Sequence, residues 1–431
     1  MSMQELARQV KEASRGLAAL KSDVKNNALA KIAEALNHRK DEVIKANQED
    51  LKRSEEEKLA SPLLKRLKFD DKKIADVVDG IYSLIKLEEP VGKTLLSTEM
   101  DNGLELYRVT CPIGVLGIIF ESRPDALVQI STLCLKSGNA VLLKGGSEAR
   151  ETNRILADII AETTEKAGIP KGWIQLIETR ADVNEMLKMD ACIDLIIPRG
   201  SNEFVRYIMD HSNIPVMGHA DGICHCYVDE KADIEMAVKI VVDSKTQYVA
   251  VCNATETLLV HEGTAKEFLP LLKKALDDKN VELVGCPRTQ EIIPVGAASE
   301  EDWKTEYLDY KLSIKIVSSL EEAINHINTY GSGHTDTIIT GNSETAQGFM
   351  DLVDSGNVFW NCSTRFSDGF KYGFGAEVGI STSKLHARGP VGLEGLLSYK
   401  YKLIGNGQIV EEYANKTKTF THKKINGDCP M

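Results

Sequence analysis

The chain has 431 residues, 42% of them hydrophobic and 27% charged, a globular composition long enough for roughly two or three domains. Its formal net charge of −12, with no strong basic block, disfavours binding to nucleic acids, because polyanions need concentrated Lys and Arg. The charged, amphipathic N-terminus lacks the apolar run of a signal peptide or membrane span, and nine irregularly spaced cysteines indicate reduced thiols. We therefore expect a cytoplasmic protein that binds neither nucleic acid nor membranes.

Residues up to about 90 are predicted to form helices, because apolar residues recur there at helical spacing. Ser61-Pro62 and Asp70 are predicted helix starts, since each offers a capping side chain followed by proline or by a charged first turn. The recurring apolar residues are Leu6, Val10, Ala13, Leu17 and Leu20, and then Ile74, Val77, Val78, Ile81, Leu84 and Ile85.

Two segments are predicted to form an extended arm. LLSTEMDNGLELYRV has two β-prone runs around Asn102-Gly103, a dipeptide that tolerates the positive φ angles of a tight hairpin turn. Near the C-terminus, LLSYKYKLIGNGQIVEEY is strand-like around a Gly-Asn-Gly turn. We expect this C-terminal segment to pair with the hairpin of another subunit.

Between these segments, short apolar strands alternate with helices, a pattern typical of parallel sheets flanked by helices. One series follows Val109 and a second begins near Asp229, so two α/β domains are expected. The first series contains VLGIIF, AVLLKGG, a helix from Ser147, IQLIET, a helix after Asp182, IDLIIPRG and a helix from Ser201. The second contains TETLLVH, FLPLLKKAL, SIKIVSS, EEAINHINTYG, TDTIITG and NVFWNCS.

The usual nucleotide-binding motifs are absent from the sequence. No GxGxxG follows a strand, and Gly92-Lys93-Thr94 lacks the glycine that opens a phosphate-binding P-loop. Lys144 is a better candidate, because it follows a strand and precedes a helix N-terminus, where anions are attracted. The alternative for Lys144 is a solvated side chain beside a flexible loop.

Cysteine and histidine cluster in two places. Cys224, His225 and Cys226 follow His219, but adjacent strand residues point to opposite faces, so we expect a structural role and no metal site. Cys252 lies among small residues in QYVAVCNATETLLVH, which would let a substrate approach its thiol. By itself this pattern fits a buried core cysteine better than a nucleophile.

Several longer segments together resemble a known family. They are TCPIGVLGIIFESRPDAL, SGNAVLLKGGSEA, IIPRGSNEF, GHADGICH, YVAVCNATETLLVH, HINTYGSGHTDTIITGN, STRFSDGF and FGAEVGISTSKLHARGPVGLEGL. In this order they closely resemble the γ-glutamyl phosphate reductases over essentially the whole chain, and more distantly the aldehyde dehydrogenases.

The resemblance implies an aldehyde dehydrogenase-like α/β fold with two α/β domains and a β-hairpin oligomerisation arm. The expected cofactor-binding domain comprises residues 1–95 and 111–228, with a return helix at 387–398. Residues 229–386 would form the catalytic domain that carries Cys252, and residues 96–110 and 399–415 the arm. A homo-oligomer, dimer or tetramer, is expected.

The resemblance also implies roles for individual residues. Cys252 corresponds to the catalytic cysteine, with Asn253 and Ser122 as oxyanion donors. The cofactor NADPH (NADP) would be bound by Lys144, Ser147, Gly200 and Ser201. The substrate carries a phosphate and an α-carboxylate, which suit the planar donors of Arg123, Arg199 and Arg365. Each arginine could instead be a surface salt-bridge partner, and the family segments give no role for His326 or His334.

The implied reaction is reduction of L-glutamate 5-phosphate to L-glutamate 5-semialdehyde through a Cys252 thioester, the second step of proline biosynthesis. A transient glutamate kinase partner is compatible with it. One alternative is a hydrolytic NAD(P)-dependent semialdehyde dehydrogenase on the same fold, and another is a non-catalytic oligomeric relative. The segment VMGHADGI offers no glutamate where hydrolytic relatives carry a water-activating one, which argues against hydrolysis. Retention of Cys252 argues against a non-catalytic protein.

Overall fold

The computed structural model describes residues 2–59, 61–121, 123–219, 221–374 and 377–430. The N-terminal helices are α1 (Met3–Leu17), α2 (Ser22–His38), α3 (Lys40–Glu56), α4 (Ser61–Leu67) and α5 (Asp71–Lys86). The expected start of α5 is confirmed, since the Asp70 carboxylate accepts a hydrogen bond from the Lys73 N–H at 3.1 Å. In the part of the chain that the structure describes, no helix is long and apolar enough to cross a membrane.

The next elements build the predicted hairpin and the first parallel sheet. They are β1 (Thr94–Asp101), β2 (Leu104–Pro112), β3 (Val115–Phe120), α6 (Pro124–Ser137), β4 (Ala140–Lys144), α7 (Arg150–Lys166), β5 (Ile174–Ile177), α8 (Arg180–Met186), β6 (Leu195–Arg199) and α9 (Asn202–His211). The β1–β2 turn is at Asn102-Gly103, where Gly103 has φ +71°. The sheet order is β5-β4-β3-β6, with all pairings parallel.

The N-terminal helices pack on this first sheet and its flanking helices. Helix α1 contacts β3, β4 and β5, whereas α2, α3 and α5 contact α6 or α7. Leu17, Leu29 and Ile32 are fully buried in the same core as Leu142 of β4. The periodic apolar residues therefore stabilise the domain by burial, at about 25 cal/mol per Å² of apolar surface removed from water.

The second series forms another sheet with only parallel pairings in the described residues. Its elements are β7 (Cys224–Val228), α10 (Ile234–Thr246), β8 (Thr255–His261), α11 (Glu262–Asp277), β9 (Glu282–Gly285), α12 (Pro287–Gln290), β10 (Gly296–Ala297), β11 (Lys311–Val317), α13 (Leu320–Tyr330), β12 (Thr335–Ile339), α14 (Ser343–Leu352) and β13 (Asn357–Trp360). The strand order is β10-β9-β11-β8-β7-β12-β13.

The expected domain boundary at residue 228 is wrong, because β7 belongs to the second sheet. It pairs with β8 and β12, and all of its residues are buried. His225 is satisfied by the Asp336 carboxylate at 2.9 Å from Nδ1, and Cys224 and Cys226 are buried as small, weakly polar side chains.

The C-terminal part differs from its prediction in three ways. Its elements are β14 (Gly379–Ser381), β15 (Gly389–Val391), β16 (Leu397–Ile404), α15 (Val410–Ala414) and β17 (Lys423–Lys424). Residues 387–398 do not form the return helix, because Gly389 has φ +79° and Pro390 follows it, although Val391 and Leu396 pack in the first domain's core. The segment after the Gly-Asn-Gly turn is the short helix α15 and not a strand.

The third difference concerns strand pairing. Strand β16 pairs antiparallel with β2 of its own chain, from Leu397 opposite Pro112 to Ile404 opposite Glu105. The predicted pairing with another subunit's hairpin is therefore replaced by an intramolecular one. The resulting sheet has the order β16-β2-β1-β17, so the arm extends beyond the expected limit at residue 415.

Candidate active site

Cys252 lies where the amino ends of three neighbouring strands meet. It occupies the turn between α10 and β8, and its side chain is half-buried. In the order β8-β7-β12, Cys224 begins the middle strand and His334 immediately precedes β12. Cys224 donates from Sγ to the Cys252 carbonyl at 3.1 Å, and burial raises the pKa of Cys224 well above its ordinary value. Cys224 is therefore a neutral neighbour, and Cys252 is the thiol open to substrate.

Two imidazoles lie beside this thiol. One nitrogen each of His219 and His334 and Sγ of Cys252 all lie within 4.8 Å of one another. The two rings meet edge to face, with centroids 4.8 Å apart. His219 comes from the segment that crosses from the first sheet to β7, so both domains contribute to the cluster.

Hydrogen bonds fix how each ring presents its nitrogens. Nδ1 of His219 is 2.8 Å from the Ile380 carbonyl oxygen, which can only accept, so Nδ1 carries the proton and Nε2 offers a lone pair. Burial lowers the pKa of His219 and favours this neutral form. Nδ1 of His334 is 2.8 Å from Oγ1 of Thr335, and Nε2 of His334 is buried without a described partner.

Gly222 lets the Cys252 turn approach β7 closely. A Cβ at position 222 would lie 2.3 Å from the Cys252 carbonyl oxygen and 2.5 Å from its Cα. Both contacts involve backbone, which cannot rotate away as a flexible side chain would. The position of Cys252 therefore depends on the absence of a side chain at residue 222.

The predicted oxyanion donors have different outcomes. Ser122 lies outside the described residues. Asn253 is buried, and its Nδ2 donates to the Ser367 carbonyl at 2.7 Å, so its side chain anchors the 363–367 loop beside Cys252. No described residue accepts a hydrogen bond from the Cys252 backbone N–H, which leaves that donor for a substrate oxygen.

Arg365 is the predicted arginine that lies beside the thiol. Its Nε donates to Oε1 of Gln247 at 3.0 Å, which orients the guanidinium. Burial lowers the pKa of Arg365, and negative charge on Cys252 acts in the opposite direction. Since a guanidinium remains protonated in proteins, Arg365 places a positive charge near the attacking sulfur.

Arg123 and Arg199 form a second cationic group at the carboxyl ends of β3 and β6. Burial, followed by the charge of Arg199, lowers the pKa of Arg123. No described acidic group lies within 4.0 Å of Arg123, whereas Nη2 of Arg199 lies 3.6 Å from Oε1 of Glu377. Two neighbouring guanidiniums with one carboxylate leave net positive charge, which suits an anionic substrate.

Glu377 is a site residue that the sequence reasoning missed. Its Oε2 accepts from the Gly369 N–H at 2.8 Å, and burial raises its pKa. It also interacts electrostatically with His219, so a glutamate does reach this region, although VMGHADGI contains no glutamate. Its position within GAEVGIS was the only sequence signal, since a lone glutamate in a glycine-containing loop is otherwise unremarkable.

A cavity of about 800 Å³ opens beside the first sheet at the carboxyl ends of β3 and β4. Open α/β sheets bind nucleotides at this edge. Lys144, Ser147 and Ser201 line the cavity, as expected from the sequence. Further lining residues are Leu59, Leu63, Ile119, Phe120, Glu121, Gly146, Glu148, Glu178, Val183, Asn184, Glu203, Phe204 and Tyr207.

Gly200 immediately precedes Ser201, which lines this cavity at the start of α9. A Cβ at Gly200 would lie 2.9 Å from the Phe204 ring and 3.0 Å from Oε2 of Glu121, so a larger residue would displace these two cavity-lining side chains. Ser201 is the N-cap of α9 but makes no side-chain capping bond. Free N–H groups at that helix start suit a phosphate group.

Lys144 and Ser147 are held in different ways. Lys144 is buried and donates from Nζ to the Gly145 carbonyl, so the alternative of a solvated lysine is wrong. Nη2 of Arg53 donates to the carbonyl oxygens of Ser147 and Glu148 at 3.2 and 3.1 Å. Helix α3 therefore fixes the loop after β4, a contact that sequence spacing did not indicate.

Cys226, His225 and His326 lie in the core of the second domain. Sγ of Cys226 lies 3.1 Å from Oγ1 of Thr255, and His225 binds Asp336, so the residues of β7 alternate between faces as predicted. Burial lowers the pKa of His326 to about 2. His326 packs against His225, on the opposite side of β7 from Cys224, and so belongs to the core of the domain.

Comparisons with known proteins agree with this geometry. The aldehyde dehydrogenase family profile matches residues 2–310. The chain is 78% identical to a gamma-glutamyl phosphate reductase of Acetivibrio thermocellus over all of both chains, and 73% identical to one of Pelotomaculum thermopropionicum over 99% of each. A crystal structure of a gamma-glutamyl phosphate reductase from Thermotoga maritima superimposes with a TM-score of 0.93, at 42% identity, covering 95% of this chain and 100% of the other.

Proposed function

Because the chain belongs to the gamma-glutamyl phosphate reductases of the aldehyde dehydrogenase family, we propose that it reduces L-glutamate 5-phosphate to L-glutamate 5-semialdehyde. Phosphate is the second product, and the reaction is the second step of proline synthesis from glutamate. The observation that carries the proposal is a half-buried Cys252 between two imidazoles and beside Arg365.

The first step is acyl transfer to sulfur. The Cys252 thiolate attacks the acyl carbon, the carbon–sulfur bond forms and the carbon–oxygen bond to phosphate breaks. His219 or His334 can receive the thiol proton, since each has a free ring nitrogen. Arg365 stabilises the thiolate and then the departing phosphate, because a guanidinium offers charge-assisted donors to both.

The second step reduces the thioester. Lys144, Ser147 and Ser201 would hold a nicotinamide cofactor in the cavity beside β3 and β4, and that cofactor would supply a hydride when bound. The Cys252 backbone N–H then holds the oxyanion of the thiohemiacetal, and breakage of the carbon–sulfur bond releases the aldehyde. Arg123 and Arg199 retain the α-carboxylate of the substrate near the carboxyl ends of β3 and β6, with Glu377 orienting Arg199.

We propose that NADPH is preferred to NADH because Ser147 is neutral and lies beside Lys144. A carboxylate at this position would bind both ribose hydroxyls of NADH and repel a 2′-phosphate. Ser147→Glu should therefore lower kcat/KM at least about tenfold more for NADPH than for NADH, which corresponds to about 1.4 kcal/mol of discrimination. Steady-state kinetics with both cofactors measures this difference.

Ser147→Gln is the matched control, since it adds nearly the same volume without the charge. We expect it to affect the two cofactors to a similar extent. An equal loss with both cofactors in Ser147→Glu would contradict the proposed position of the 2′-phosphate. Glu148 and Glu178 also line the cavity, so their carboxylates must lie away from that phosphate.

The function itself is tested in the reverse direction. Pyrroline-5-carboxylate, which equilibrates with the semialdehyde, and NADP⁺ should give sustained NADPH formation only when phosphate is present. Without phosphate, at most one turnover per Cys252 is expected, because VMGHADGI offers no glutamate to activate water, and general-base assistance typically contributes about 10²–10⁴-fold. Absorbance of NADPH, recorded with and without phosphate, gives the answer.

Sustained phosphate-independent formation of free glutamate would identify water as the acceptor and favour the hydrolytic alternative. Glu377 is the carboxylate to substitute in that case, because it lies near His219. Under our proposal Glu377 is engaged with Arg199 and the Gly369 N–H and does not activate water.

We further propose a cytoplasmic homo-oligomer that assembles through the β16-β2-β1-β17 sheet. In its support, β16 carries Tyr399, Tyr401 and Leu403, each more than half exposed at 52, 58 and 56%. The described cysteines are all free thiols, as expected in a reducing compartment. A transient glutamate kinase partner would limit loss of the labile acyl phosphate and can be tested by crosslinking.

A further inference from the structure

We propose that Cys252, His219 and His334 form a reversible binding site for a divalent cation of the zinc class. Cys252 lies in the turn before β8, His219 in the segment before β7, and His334 immediately before β12. Their ligand atoms, one sulfur and two imidazole nitrogens, lie within 4.8 Å of one another. Cation binding and the inhibition that follows from it are separate claims, and only the inhibition depends on the proposed function.

The separations are close to those of a tetrahedral site. With Zn–N of about 2.0–2.1 Å and Zn–S of about 2.3 Å, ligand atoms in a tetrahedron lie roughly 3.4–3.6 Å apart. Contraction from at most 4.8 Å to that range, by up to roughly 1.2–1.4 Å, is within the reach of side-chain rotation, since Cys252 is half-buried and not tightly enclosed. The fourth position would face the substrate side and take water, as in three-ligand zinc sites.

The hydrogen bonds around the imidazoles are those of metal-ligating histidines. Such histidines commonly use one ring nitrogen for a carbonyl or another acceptor and present the other to the metal. His219 donates from Nδ1 to the Ile380 carbonyl at 2.8 Å. His334 uses Nδ1 for Oγ1 of Thr335 at 2.8 Å. His219 therefore keeps a lone pair on Nε2, and His334 does so in the tautomer whose Nδ1 donates to Thr335.

His334 supplies an independent indication of a ligand. It is fully buried, and its Nε2 has no hydrogen-bond partner among the described residues. A buried polar atom without a partner is destabilising, so a ligand that satisfies it is favoured. The thiolate and two imidazoles select zinc, cobalt or copper over magnesium and calcium, which prefer oxygen ligands.

Binding is mutually exclusive with catalysis. On coordination the Cys252 thiol loses its proton to solvent, and a sulfur–metal bond takes the place of the sulfur–hydrogen bond. The same sulfur lone pair cannot then attack an acyl carbon. A zinc-class cation should therefore inhibit the reductase reversibly and compete with the acyl phosphate rather than with the nicotinamide cofactor.

Alkylation of the wild-type protein provides the first test. Iodoacetamide labelling of Cys252, followed by peptide mass spectrometry of the reduced full-length protein, should slow at least about tenfold with Zn²⁺ and not with Mg²⁺. Chelation should restore the rate. Co²⁺ should bind at one equivalent and produce thiolate charge-transfer and tetrahedral visible bands. Equal labelling rates with and without saturating Zn²⁺ would overturn the proposal.

Variants then assign the ligands. His219→Gln and His334→Gln should each lose Zn²⁺ protection of Cys252, whereas His422→Gln, an exposed histidine in the C-terminal segment, should keep it. Cobalt bands that persist in Cys252→Ser would also overturn the site. The alkylation test uses the wild-type protein, so it can overturn the proposal even if a variant misfolds. Phosphate-dependent turnover without added metal tests the proposed function separately.

Discussion

Cys252→Ser should fold as the wild-type protein does and lose roughly three orders of magnitude or more in kcat. A cysteine thiol has a pKa of about 8.5 and supplies some thiolate at neutral pH, whereas a serine hydroxyl stays protonated without a strong base. The change removes little volume at a half-buried site, so stability should change little. Kinetics in the reverse direction and a thermal melt measure the two effects.

Cys286→Ser is the matched control. Cys286 is also half-buried and lies 3.3 Å from Oγ1 of Thr289, next to β9 in the same domain. Its replacement should leave kcat within about twofold of the wild-type value, since it does not contact the proposed site. Turnover by Cys252→Ser near that of Cys286→Ser would remove Cys252 from the mechanism. An acyl adduct mapped to another cysteine would also exclude Cys252 as the nucleophile.

Gly222→Ala should inactivate the enzyme although residue 222 makes no contact that chemistry requires. The added Cβ would lie 2.6 Å from Cys252 Cβ and closer still to its backbone, so the turn must move. Displacement of a nucleophile by about 1 Å can cost about 10²-fold in rate. We expect a loss of that size or larger in kcat, together with slower alkylation of Cys252.

Gly218→Ala is the control that shows whether any glycine-to-alanine change in this segment would lower activity. A Cβ at Gly218 would meet Pro198 at 3.5 Å, an ordinary van der Waals contact. Gly218→Ala should therefore keep most of its activity and its thermal stability. If both variants behaved alike, the close approach of Gly222 to Cys252 would not be what positions the thiol.

The sequence failed where a local pattern was ambiguous. The boundary at residue 228 placed β7 in the first domain, yet β7 pairs with β8 and β12, and Asp336, more than 100 residues later, satisfies His225. The segment at 387–398 was expected to be helical from the family resemblance alone, while Gly389 and Pro390 act against a helix. The spacing of apolar residues therefore indicates neither the distant partner of His225 nor the backbone conformation of Gly389.

The sequence by itself determined the alternating strands and helices, the Asn102-Gly103 turn and the parallel character of both sheets, whereas Cys252 was identified as the nucleophile through the family resemblance. These features follow from local periodicity and turn chemistry, which residues close in the chain encode. The resemblance added Lys144, Ser147 and the arginines as site residues. In the structure, Lys144 and Ser147 line one cavity, and Arg123 and Arg199 form one cationic group.

Only the tertiary structure decided which side chains surround the thiol. The order β8-β7-β12 brings His334 to Cys252 across 82 positions of sequence, and the crossover between domains brings His219. Likewise Arg53 reaches the Ser147 carbonyl because α3 packs against α7. Periodicity reports which face of an element is buried but not its neighbour, since strand order depends on the packing of distant segments.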